Sequence, residues 1–76
     1  MPFILGTNDE DGSLFISGYE REQHEFHSQF YPMWEQLPGA GIKFDTWMEA
    51  DAYRSTLQKR TGMERRLYIW EWHPQS

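Results

Sequence analysis

The segment from Thr46 to Gly62 constrains its surroundings more than any other, because it carries a full set of helix boundary signals. Thr46 is followed three residues later by Glu49. In this capping-box spacing the hydroxyl accepts from a first-turn N–H and the carboxylate reaches back to the entering chain. Lys59 and Arg60 stand where cations complement the C-terminal end of a helix dipole, with Glu49 and Asp51 near its start. Gly62 supplies the left-handed residue that ends such a helix. A helix is therefore predicted over about 46–61. At 100° per residue, Trp47, Ala50, Tyr53, Arg54 and Leu57 share one arc, and Met48, Ala52, Ser55 and Lys59 fall away from it. The first arc needs a surface to pack on.

The flanking sequence supplies one. Phe3-Ile4-Leu5-Gly6 and Ser13-Leu14-Phe15-Ile16-Ser17 are short apolar runs on either side of Asn8-Asp9-Glu10-Asp11-Gly12, and they read as a β-hairpin with a loop longer than two residues. Ile42-Lys43-Phe44-Asp45 alternates as a strand before the helix. Residues 65–72 read as a strand after it, ended by Pro74. On that last strand Leu67, Ile69 and Glu71 share one face and Tyr68, Trp70 and Trp72 the other. The fold class is α+β: an N-terminal hairpin plus strand–helix–strand, giving a mostly antiparallel sheet with the main helix on one face. At 76 residues the chain is one domain, with a hinge-like turn at Pro38-Gly39-Ala40-Gly41.

Residues 19–37 have two readings. Tyr19, Phe26, Phe30 and Trp34 are spaced seven, four and four apart, which favours a helix that Pro32 ends near Phe30 or Tyr31. The rival is an extended segment followed by a short helical turn starting at Pro32.

Charge is divided along the chain. Residues 1–51 hold ten acids against two bases, a net of −8, and residues 52–76 hold five bases against two acids, a net of +3. The basic group is Arg54, Lys59, Arg60, Arg65 and Arg66. It has local work in ending the helix and opening the last strand, and it should offset acids such as Asp45 and Glu49. The unmatched negative charge then concentrates at Asp9, Glu10, Asp11, Glu20, Glu22 and Glu25. An acidic net charge of −5 argues against general binding to nucleic acid or anionic membrane.

No catalytic motif stands out. His24 and His27 lack the His-Glu-x-x-His spacing of zinc proteases, so no metal ligands are assigned. A calcium-loop frame beginning at Asp9 puts Leu14 where glycine is required. No Lys-Ser/Thr pair follows Gly39 and Gly41, as a phosphate loop requires. No cofactor is expected, and the chain reads as non-enzymatic. Cysteine is absent, no stretch approaches a membrane span, and the first residues lack a basic leader, so a soluble cytoplasmic protein is expected.

Thirteen aromatic residues are more than so short a chain readily buries, and aromatics left on a surface often anchor a partner. The expected function is protein binding through the six unmatched acids, with Tyr68, Trp70 and Trp72 as aromatic anchors. In size, charge and architecture the chain resembles the small inhibitors made by phages, including anti-CRISPR proteins. That resemblance involves no shared motif and assigns no residues. It implies inhibition of a host protein, such as one that binds nucleic acid, by occlusion or partial mimicry. Two alternatives remain. One is direct nucleic-acid or anion binding by the basic group with stacking on Trp70 or Trp72. The other is a homodimer that buries the Trp-rich strand.

Overall fold

The computed structural model describes residues 2–8 and 12–73. Asp9, Glu10, Asp11 and Pro74 lie outside them. Among the described residues, four strands form one antiparallel sheet: β1 (Phe3–Gly6), β2 (Phe15–Gln23), β3 (Ser28–Glu35) and β4 (Tyr68–Glu71), in the order β3-β2-β1-β4. A 3-10 turn occupies Pro38–Ala40, and the helix α1 runs Trp47–Thr61. The α+β architecture with one main helix on an antiparallel sheet is the one the sequence predicts.

Local chemistry fixes both ends of α1. Thr46 Oγ1 accepts from the Glu49 N–H at 3.1 Å, and Glu49 Oε2 accepts from the Asp45 N–H at 3.2 Å. Gly62 sits at φ 67°, in the left-handed region that costs glycine little, and its N–H donates to Gln58 O. Leu5, Ile16, Ala50, Leu57 and Leu67 form the core between sheet and helix, with Phe3, Tyr19, Trp34, Phe44, Tyr53, Met63 and Ile69 packed around them. Met48 is 78% exposed, as its place on the wheel predicts. Trp47 departs from the predicted arc and is 50% exposed, because α1 meets the sheet through Ala50, Tyr53 and Leu57 further along.

Three segments need correction. The helix predicted through Tyr19 to Tyr31 is a β-hairpin instead, with β2 and β3 registered from Phe15↔Glu35 to Gln23↔Ser28. The His24 N–H donates to His27 O at 2.8 Å and closes a tight turn over Glu25 and Phe26. A bulge between Ile16 and Gly18 shifts the register, so that Ile16 and Tyr19, three residues apart, both face α1. The predicted strand at Ile42-Asp45 reduces to an isolated bridge, Phe3↔Phe44. β1 and β2 pair only at Gly6↔Phe15. The 42–44 segment lies between them beyond that point, with the Ile42 N–H on Ile16 O and both Phe44 backbone groups on Phe3. The last strand is shorter than the 65–72 expectation. Leu67 turns into the core, and the segment before β4 is tied to α1 by Arg54 and Gln58.

Candidate functional site: an acidic arm and an uncovered sheet face

Register assigns side chains to the two faces of the sheet. Phe3, Leu5, Ile69, Ile16, Trp34, Tyr19 and Phe30 point toward α1. Ile4, Phe15, Tyr68, Trp70, Met33, Tyr31, Glu20 and Glu22 point the other way. α1 does not cover this second face, although Ile4 and Phe15 are buried on it beside the Pro38–Ala40 turn. The face runs from the aromatic strand β4 at one end to the carboxylates of β2 at the other.

At the acidic end, β2 and β3 continue past β1 as a two-stranded arm. The molecule is elongated, with a longest extent of 48 Å against 28 and 20 Å. Glu20 and Glu22 lie on the uncovered face of the arm, across from Tyr31 and Gln29, and Glu25 is in the turn at its tip. All three are exposed. Beside Glu25, Phe26 is 91% exposed.

An isolated two-stranded hairpin is marginal in water, so the arm needs its own fastenings. Arg21 supplies one. Its Nε donates to Ser28 Oγ and a terminal guanidinium N–H to Gln23 Oε1, while Ser28 Oγ donates to the same Gln23 oxygen. His24 and His27 stack with ring centroids 4.8 Å apart, and His24 Nε2 lies 3.7 Å from Glu22 Oε1. Arg60 holds the root of the arm from α1, over the rings of Phe30 and Tyr19.

At the other end, Trp70 and Trp72 line a groove of about 600 Å³ with Ile4, Phe15, Leu37 and Pro38. Trp70 meets Phe15 edge-on at 5.8 Å. Lys43 stands 4.8 Å above the Trp72 ring and donates to Gly39 O and Gly41 O. The Leu37–Gly39 loop thus shields part of the Trp-rich face, while Tyr68 stays exposed at its edge.

The basic group is not gathered into one site. Arg54 donates to Leu67 O and pairs with Asp51. Arg60, Arg65 and Arg66 each lie over a ring, of Phe30 and Tyr19, Trp34, and Tyr68 respectively. Lys59 is exposed in the last turn of α1. Arg54 and Arg66 share a polar cleft of about 290 Å³ with Ser55 and Gln58. Of the acids from the hinge onward that these bases were expected to offset, Asp51 is paired, by Arg54. Glu49 caps the helix.

Among the sequence candidates, Glu20, Glu22 and Glu25 come together on the arm, and Tyr68, Trp70 and Trp72 at the opposite edge of the same face. Sequence reasoning did not single out Phe26 as a surface residue, because the helical spacing grouped it with Tyr19, Phe30 and Trp34 on one face. The described residues contain no group of three or more His, Asp or Glu arranged to hold a metal ion, and no helix long and apolar enough to cross a membrane. Comparison with known proteins finds no matching family model, no matching curated protein and no matching solved structure.

Proposed function

We propose that this chain is a small non-catalytic binding module that uses the arm to contact a protein partner. The observation that carries the reading is Phe26, 91% exposed at the tip of an arm that also bears Glu20, Glu22 and Glu25. An aromatic ring at the end of a braced projection costs apolar hydration and adds nothing to the core, and aromatics are the commonest anchors of protein interfaces. The three carboxylates along the same arm favour a cationic surface and speed encounter with it. A partner with an apolar pocket rimmed by Lys or Arg fits both features. The nucleic-acid-binding groove of a host protein has that character, which suits a phage-type inhibitor acting in the cytoplasm by occlusion. At −5 the net charge supports a local acidic patch better than full nucleic-acid mimicry.

Affinity capture from a host lysate, compared between the native chain and a Glu20→Gln, Glu22→Gln, Glu25→Gln variant, tests this reading. The native chain should retain a stoichiometric protein whose binding weakens with salt, and the variant should lose it. Recovery of nucleic acid in place of protein would favour the basic-group alternative instead.

A further inference from the structure

The two edges of the sheet differ, and the difference indicates what β4 can bind. Phe3 exchanges both of its backbone hydrogen bonds with Phe44, at 2.8 Å each, so its polar groups face away from β4. The Phe3↔Glu71 and Leu5↔Ile69 pairs are therefore the non-hydrogen-bonded ones, and the ladder bonds fall on Ile4↔Trp70 and Gly6↔Tyr68. The Trp72 N–H on Pro2 O, at 2.9 Å, continues the same alternation. The N–H and C=O of Ile69 and Glu71 consequently point out of the sheet, and no described residue bonds them.

The opposite edge is blunted. The His24–His27 bond sets the alternation along β2 and β3, and Tyr19↔Pro32 falls on a non-hydrogen-bonded pair. Proline thus occupies an outward position on β3, where its missing N–H interrupts any added ladder. Among the described residues no proline or register shift interrupts β4, whose one protection is its length of four residues.

We infer that β4 is a self-association edge and that its occupant is a second copy of this chain, paired antiparallel about a two-fold axis at Trp70. The two outward residues flank Trp70 symmetrically. Pairing Ile69 with Glu71 of the copy, and Glu71 with its Ile69, satisfies all eight outward groups of the two chains with four hydrogen bonds. Residues directly opposite in this register share a face, so Trp70 lies across from the copy's Trp70, and Tyr68 across from its Trp72. Cross-strand aromatic pairs of this kind add to backbone pairing. The partly exposed rings at this end of the uncovered face thereby gain partners of their own type. A strand of four residues makes a small interface, so the dimer is reversible. It leaves both arms clear at the far ends of a continuous eight-stranded sheet, and it does not depend on what the arms bind.

Sedimentation equilibrium and amide exchange on the native chain test the inference, from about 10 µM to about 1 mM, a range suited to small transient interfaces. The mass should rise from 9.2 kDa toward twice that value. Over the same range the Ile69 and Glu71 amides should gain about tenfold or more in exchange protection. Glu71→Pro removes an outward donor without touching a ladder bond, and it should keep the monomer mass at 1 mM. Trp70→Cys should oxidise to a linked dimer, because non-hydrogen-bonded pairs place Cα atoms about 4.5 Å apart. A monomeric native chain at 1 mM would overturn the inference. So would a dimer in which the Ile69 and Glu71 amides exchange as fast as in dilute solution. The exchange measurement uses the native sequence, so it decides the matter even if a variant fails to fold.

Discussion

The guanidinium of Arg60 lies 5.3 Å from the ring centroid of Phe30, joining the last turn of α1 to the root of the arm. The same group is 5.8 Å from Tyr19. Arg65 and Arg66 are used in the same way, over Trp34 and Tyr68. Three of the five bases at the basic end of the chain thus lie over aromatic faces, while Arg21 on the arm bonds Ser28 and Gln23. Arg60→Ala should destabilise the fold by about 1 kcal/mol, the scale of an exposed cation–π contact. Arg60→Lys should recover part of the loss. Urea unfolding measures both, and a cycle with Phe30→Leu isolates the ring contact.

Thr46→Ala should cost about 1 kcal/mol through loss of the helix N-cap, and Thr46→Ser should be close to neutral. Thermal or urea unfolding of the pair distinguishes the hydroxyl from the methyl group.

Gly6→Ala should be among the most disruptive single-methyl changes in the chain. A Cβ at Gly6 would lie 2.8 Å from Phe15 Cδ1 and 2.9 Å from the backbone oxygen of Leu14. The oxygen belongs to the closed β1–β2 connection, where the Thr7 N–H donates to Leu14 O and Thr7 Oγ1 accepts from the Leu14 N–H. A loss of roughly 1–3 kcal/mol is expected from such overpacking, read as a lower urea midpoint.

Tyr53 links stability to alkaline pH. Burial, and then the neighbouring Tyr19, raise its phenol above the usual value of 10.0. The folded chain therefore keeps this proton at a pH where the unfolded chain has released it. Tyr53 contributes full stability below pH about 10 and loses it as pH rises through the raised folded value. The urea midpoint of the native chain should fall more steeply between pH 9 and 11, where phenols titrate near 10, than that of Tyr53→Phe. Parallel slopes would remove the effect.

The parts of this fold that were legible in the sequence are those set by local chemistry. Thr46, Glu49 and Gly62 mark α1 because capping depends on residues within one turn. Asp11-Gly12 marks the first hairpin, and alternation around Ile69 marks β4. The second hairpin was not legible for two reasons. Its turn, His24-Glu25-Phe26-His27, contains no Gly, Pro or Asn, and no non-glycine residue among those described has positive φ. In addition, Tyr19, Phe30 and Trp34 share a face by strand register across a bulge, while their spacing in sequence mimics a helical stripe.

The aromatic end of the candidate site was legible in the alternation of Tyr68, Trp70 and Trp72, and the arm only as charge. Glu20, Glu22 and Glu25 stood out by composition and do occupy one projection. Phe26 did not, because the helical reading grouped it on one face with Tyr19 and Trp34, which do pack against the core. The free edge of β4 depends on which backbone groups Phe44 takes from Phe3, a long-range fact with no local signature.

Phe26→Ala is the most direct test of the arm as the contact element. The side chain is 91% exposed, so the variant should keep the native circular dichroism and urea midpoint. With the protein captured by the native chain, its affinity should fall by about tenfold or more, as expected on truncating an interface anchor worth over 1 kcal/mol. A folded Phe26→Ala variant that binds the same partner with native affinity would contradict the role assigned to the arm.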